Sequence, residues 1–210
     1  MTISLEKIGK RYNYEWIFRG LDFDFLAKNR YAILGPNGSG KSTLLQIIAG
    51  SLSHNEGRIA YSEDAATGGR PRVAGEIFRY LSLATPYLEL IEAFTLTEAL
   101  RFHGQFKPFL NNMPPEDIIG AVHLEKAAHK EIRYFSSGMK QRAKLAQAIF
   151  SDTPVLLLDE PCTNLDEAGV SLYHALIEQY TKDRLVIISS NDAAEYDLCQ
   201  THLHIADYKT

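Results

Sequence analysis

Three stretches of this chain place residues where they could handle a phosphate chain. The first is Gly35-Pro36-Asn37-Gly38-Ser39-Gly40-Lys41-Ser42, followed by Thr43. Its spacing fits G-x-x-x-x-G-K-[ST]. The glycines let the backbone curl so that several N–H groups point inward at phosphate oxygens, and a helix beginning there adds a partly positive N-terminus. Lys41 supplies a point charge for the β and γ phosphates of a nucleoside triphosphate, and Ser42 a hydroxyl for Mg²⁺. With glycine near 7% of residues, this pattern arises by chance in under roughly one chain in a hundred of this size.

The second stretch, Leu158-Asp159-Glu160-Pro161, ends an apolar run with two carboxylates. Neighbours on a strand point to opposite faces, but here the chain is leaving the sheet. Asp159 can then face a Mg²⁺ held at Ser42, and Glu160 can reach further to orient or deprotonate an attacking water. Acidic residues are common at strand exits, and only the phosphate loop earlier in the chain makes the reactive reading the stronger one. The third stretch, Phe135-Ser136-Ser137-Gly138-Met139-Lys140-Gln141-Arg142, is a Ser-Ser-Gly turn opening a helix. It offers free N–H groups and hydroxyls to an anion. Taken alone, it reads as a plain helix N-cap at Ser136 or Ser137.

The elements around these stretches must hold them in place. Tyr31–Leu34 before the loop reads as a buried strand, and Ser42–Ala49 after it as a helix ended by Gly50. Ile3, Leu5 and Ile8 mark a first strand, and Leu21–Phe25 alternates like a half-exposed antiparallel one. Tyr12, Tyr14, Trp16 and Phe18 lie between them. Gly57–Tyr61 and Phe78–Leu83 read as further strands, and Ser62–Gly75 as a loop. Thr95-Leu96-Thr97-Glu98 carries the capping-box pattern, Pro114–Asp117 opens a short helix, and Ser137–Phe150 has helical apolar spacing. Strand character returns at Val155–Leu158, Leu185–Ile188 and Thr201–Ala206, with helices at Ala168–Tyr180 and Ala193–Leu198 between them. The expectation is one α/β domain over 1–210. Residues 1–84 form an antiparallel β subdomain and the first part of a P-loop core, 85–150 a helical insertion, and 151–210 the rest of the core.

Composition narrows the classes. The 210 residues are 45% hydrophobic and 23% charged, as a cored globular chain requires. No apolar run approaches the ~18 residues that cross a membrane. Met1–Lys7 has no apolar stretch of the signal-peptide kind. Cys162 and Cys199 make neither a disulfide framework nor a metal spacing, which fits a reduced, cytosolic protein. A net charge of -4 speaks against nucleic acid as a partner.

The order of an early aromatic, GPNGSGKS, a helical insertion, SSGMKQR and LLLDEP, followed by Cys162-Thr163-Asn164-Leu165-Asp166, closely resembles the ATP-binding cassette (ABC) ATPases. The resemblance covers nearly the whole chain and implies their fold: a P-loop NTPase (RecA-like) core with an antiparallel β subdomain and a helical insertion. It implies ATP and Mg²⁺ as ligands. Tyr12 matches the aromatic that stacks on adenine, with Tyr14 or Trp16 as substitutes. Gly35–Ser42 with Thr43 is the Walker A loop, Asp159 the Walker B carboxylate and Glu160 the catalytic glutamate. Ser136, Ser137 and Gly138 match the signature, changed at its third and fifth positions, and Thr163–Asp166 matches the D-loop. Two subunits of this family sandwich two ATP molecules, so a second copy is implied.

Two family residues are exchanged. A glutamine is expected at or near Pro86, and none lies in Ala84–Glu89. The switch histidine after the last core strand is replaced by Asn191, in Ser189-Ser190-Asn191-Asp192. An amide donates a hydrogen bond to a γ-phosphate oxygen but carries no proton or charge, so slow or partner-dependent hydrolysis is expected. His202 and His204 share a strand face without a metal role.

The leading reading is the ATPase subunit of a bacterial ABC transporter, cytoplasmic and held on the inner face of the membrane by a separate transmembrane permease subunit. The alternative is a nucleotide-gated regulatory ABC protein with little hydrolysis. A third reading, a soluble ABC protein of repair or translation, calls for paired cassettes or long coiled insertions, and the sequence shows neither.

Overall fold

The computed structural model describes residues 1–63, 71–72 and 74–209. Strand β1 (Thr2–Tyr12) turns back into β2 (Glu15–Phe25), and β3 (Arg30–Leu34) runs through the glycine-rich loop into α1 (Lys41–Ile48). β4 (Glu56–Ser62), the short β5 (Pro71–Arg72) and β6 (Leu81–Ala84) follow. Then come α2 (Leu96–Gly104), α3 (Pro115–Ala121) and α4 (Ser137–Phe150). The chain closes with β7 (Val155–Asp159), α5 (Glu167–Tyr180), β8 (Leu185–Ser189), α6 (Ala193–Tyr196) and β9 (Thr201–His204).

These strands make two sheets. The antiparallel one has the order β2-β1-β4-β5, and the parallel one the order β6-β7-β8-β3-β9. Every residue of β7 and β8 is buried, as expected of strands covered on both faces. Alternate residues feed two cores. Val155, Leu157, Leu185 and Ile187 pack with Leu44, Leu45, Ile47 and Ile48 of α1 and with the antiparallel sheet. Leu156, Leu158, Val186 and Ile188 pack with α2 to α5. Each fully buried aliphatic side chain contributes roughly 1.5–3 kcal/mol. α1 is therefore anchored by its apolar face, which fixes the loop at its N-terminus.

The helices start where their sequences dictate. The Thr95 side chain accepts from the Glu98 N–H while Glu98 Oε2 accepts from the Thr95 N–H at 2.8 Å, a complete capping box. Ser136 caps α4, and Asp166 caps α5 through the Gly169 N–H at 2.8 Å.

Two strand expectations shift. Residues 74–79 form a 3-10 helix and not the start of a strand. Phe78 is exposed, and only Leu81–Ala84 pairs with β7, in register with Val155–Leu158. A run of apolar residues does not reveal which of them finds a partner strand. β9 likewise ends at His204, and Ile205 begins a 3-10 turn. The expected loop over 62–75 falls mostly outside the described residues. Within it, Pro71 and Arg72 pair with Ser62 and Tyr61.

Candidate active site

The loop between β3 and α1 is held by its own backbone. Ser39 N–H donates to the Pro36 carbonyl at 3.1 Å. The Lys41 ammonium donates to the carbonyls of Gly35 at 2.8 Å and Pro36 at 3.3 Å, so its charge sits inside the curl. Gly40 is in the left-handed region at φ 103°, and a Cβ there would meet Ile17 Cγ2 at 2.4 Å. No other residue type fits that position. Gly40 also offers no side-chain cap, and the first helical bond runs from Leu44 N–H to Gly40 O. The N–H groups of Lys41, Ser42 and Thr43 have no partner within the helix. They surround a pocket lined by Asn37, Gly38, Gly40, Lys41, Ser42 and Thr43.

The carboxylate expected to act on water reaches the same pocket. Glu160 lines it opposite the loop. Its backbone is left-handed, at φ 45°, a conformation that costs a non-glycine residue about 1–3 kcal/mol and persists only when its surroundings impose it. Glu160 N–H donates to Ser189 O at 2.9 Å. Asp159 ends β7 beside Ser189 and is only 2% exposed. Among the described residues, Asp159 Oδ1, Ser39 Oγ and Ser189 Oγ are buried without a hydrogen-bond partner. Asn191 Nδ2 donates to Asn37 Oδ1 at 3.1 Å, which ties the segment after β8 directly to the phosphate loop.

A hard cation fits this donor set. An orphaned buried carboxylate oxygen and a hydroxyl are oxygen ligands of the kind Mg²⁺ takes, the rest coming from phosphate and water. Among the described residues no cluster of three or more His, Cys, Asp or Glu offers a cage of its own.

Other predicted residues lie elsewhere. Tyr12 is half-exposed at the end of β1 under the Lys10 ammonium, 5.0 Å from its ring centre, and does not line the pocket. Tyr14 is 94% exposed, and the Trp16 ring lies against the guanidiniums of Arg19 at 4.6 Å and Arg11 at 5.4 Å. Ser136, Ser137 and Gly138 open α4 outside the pocket, where a Cβ on Gly138 would meet Asn164 O at 2.9 Å. The Asp166 carboxylate is engaged as the α5 cap.

Four residues were missed. Ile17 and Tyr87 line the pocket, Tyr87 at 73% exposure. Tyr87 directly follows Pro86, whose carbonyl accepts from Lys144 Nζ at 2.9 Å. Burial lowers the Lys144 pKa. An aromatic next to Pro86, where the resemblance led us to expect a glutamine, was the available signal. Gln141 and Glu195 are buried against the two residues that follow Glu160, Pro161 and Cys162, and nothing in their local sequence marks them. Burial, first of all, raises the Glu195 pKa, while hydrogen bonds from Ser190 and the Cys162 N–H oppose that shift.

The sequence model of the family described as ABC transporter matches residues 18–163. Over 196 residues the chain is 30% identical to the cytochrome c biogenesis ATP-binding export protein CcmA of Rhizobium johnstonii, covering 90% of this chain and 87% of that one. It is 32% identical over 192 residues to the uncharacterized ABC transporter ATP-binding protein YxlF of Bacillus subtilis, covering 90% of this chain and 62% of that longer one. The fold matches the dimeric structure of a bacterial ABC transporter cassette with a TM-score of 0.79 at 20% identity, over 97% of this chain and 94% of the other.

Proposed function

This chain belongs to the ABC transporter family, and we propose that it is the subunit that binds and hydrolyses ATP to drive a separate membrane protein. The observation that carries the reading is that the phosphate-loop residues Asn37, Gly38 and Gly40–Thr43 and the carboxylate residue Glu160 line one pocket. Lys41 and the α1 N-terminus hold the β and γ phosphates. Ser42 and Asp159 hold Mg²⁺, which when bound neutralises charge on the phosphate oxygens. Glu160 accepts the proton of the attacking water. Asn191, already at the loop through Asn37, donates its amide to the γ-phosphate. Without a second proton-carrying group at that position, turnover is slow.

The signature residues Ser136, Ser137 and Gly138 lie outside this pocket, which supports the reading that they complete the site of a second copy. Among the described residues no helix is long and apolar enough to cross a membrane. The reading also has the chain on the cytoplasmic face, held by a permease subunit, and the ATP-binding names of its relatives support that. An exposed apolar groove supports such a partner. Leu88, Ile91, Phe102 and Phe106 line it, with Phe102 and Phe106 edge-to-face at 5.1 Å. Family membership favours this reading over a regulatory protein with little hydrolysis.

The test is phosphate release from ATP by the purified chain. Mg²⁺-dependent release that EDTA abolishes is expected, together with co-purification of a multi-span membrane protein. ATP binding with no release, alone or with that membrane protein, would sink the proposal.

A further inference from the structure

We propose that Gln141 and Glu195 clamp the Glu160–Pro161–Cys162 turn from two sides and act as positioning residues for the Glu160 carboxylate. This rests on the ATPase reading above. The turn begins with a left-handed Glu160 whose conformation needs outside support. Its backbone hydrogen bonds are Glu160 N–H to Ser189 O, Thr163 N–H to Glu160 O at 3.2 Å and Leu165 N–H to Cys162 O at 2.9 Å, and they leave the Pro161 carbonyl and the Cys162 N–H to side-chain partners. Two buried side chains supply the rest. Gln141, 3% exposed on α4, donates Nε2 to Pro161 O at 2.7 Å. Glu195, 5% exposed on α6, accepts from the Cys162 N–H through Oε1 at 2.7 Å.

The second oxygen of Glu195 accepts from the Ser190 hydroxyl, one residue before Asn191. Tyr173 of α5 fixes Glu195 in turn by donating its hydroxyl to the Glu195 carbonyl at 2.9 Å. Both ends of the carboxylate are thus committed, one to the Glu160 turn and one to the Asn191 segment. Filling the core does not call for this residue. Its charge is opposed by burial and by nearby Asp192 and Glu160, and an apolar side chain would fill the same space without that cost. The clamp has a mechanical consequence. Gln141 lies on the helix that opens with Ser136-Ser137-Gly138, and Glu195 lies beyond Asn191. A shift of the α4 N-terminus or of the Asn191 segment therefore re-aims Glu160.

The experiment compares Gln141→Met, Ser190→Ala, Glu195→Ala and Glu195→Gln with the wild-type chain. It reads kcat, the dissociation constant of a fluorescent ATP analogue, and amide exchange at Cys162. Gln141→Met and Glu195→Ala are expected to lower kcat about tenfold or more while the dissociation constant stays within about twofold. Cys162 is expected to exchange about tenfold faster in Glu195→Ala. Glu195→Gln keeps an oxygen for the Cys162 N–H and should recover kcat to within about threefold of wild type. If Glu195→Ala does not fold, Gln141→Met and Ser190→Ala decide. An unchanged kcat in those folded variants overturns the clamp, as does an equal loss of affinity and turnover. Absence of hydrolysis in the wild type contradicts the ATPase reading instead. The clamp is then judged by exchange alone, and equal rates at Cys162 in wild type and in the folded Glu195 or Ser190 variants overturn it.

Discussion

The loop that leaves β3 and the turns that leave β7 and β8 meet at one pocket but are held by different means. The first holds itself: Lys41 and Ser39 bond to the carbonyls of Gly35 and Pro36 within the same few residues. The second pair is held from a distance. Gln141 reaches Pro161 across 20 residues of sequence, and Glu195 reaches Cys162 across 33. The difference separates two jobs. A self-held loop suits the proposed phosphate binding, because its shape does not wait on the rest of the molecule. A remotely held turn presents its carboxylate only when its supports are in place.

This contrast is broken most sharply by substitutions in the loop. Lys41→Ala is expected to weaken ATP binding by about 100-fold or more, because it removes the charge at the centre of the curl. Its melting temperature should change little, and equilibrium binding with a thermal melt checks both. A Lys41 variant that binds normally but turns over slowly would merge the two regions into one. Gly40→Ala adds a Cβ 2.4 Å from Ile17 Cγ2 at a positive φ. A loss of about 1–3 kcal/mol in unfolding free energy is expected by chemical denaturation.

Smaller effects sharpen the other side. Glu195 has its pKa raised by burial, with Asp192 and Glu160 adding to the shift and Cys162 and Tyr173 packed beside it. A raised acid pKa means that the folded state binds the proton more tightly than the unfolded one. That contribution is complete below the unfolded glutamate pKa and is lost as pH rises through the folded value. Melting Glu195→Gln beside the wild type across that window should show the variant gaining relative stability as pH rises. A constant difference would mean that Glu195 does not titrate there. Asn191→His keeps a donor near Asn37 Oδ1 and adds a proton carrier. Turnover equal to wild type or raised by up to about threefold is expected, and a large loss would give the amide a role of its own. The least affected groups are the thiols. Burial first pushes Cys162 and Cys199 up to about 12, so iodoacetamide at mild alkaline pH should label them only after unfolding.

The two regions also differ in how far the sequence foretold them. Gly35–Thr43 was readable because its pattern is contiguous: the residues proposed to bind are those that shape the curl. Asp159 and Glu160 were readable because an apolar run has to end where they stand. Gln141 and Glu195 were not, since a buried polar residue on a helix looks like any surface one until its partner is known. Tyr12 was proposed from its type, which suits stacking on a base; the hairpin sets it beside Lys10, while Ile17 lines the pocket. The fold was legible where periodicity was strong, as in β7, β8 and α4. It was least legible at 74–84, where an apolar run divides between a 3-10 turn and the edge strand β6.

The central claim is that Glu160, held opposite the phosphate loop, is the base for hydrolysis. Phosphate release by Glu160→Gln, measured with ATP affinity on the same preparation, tests it most directly. Release slower by about 100-fold or more with affinity within about threefold is predicted. Release at the wild-type rate would contradict the account.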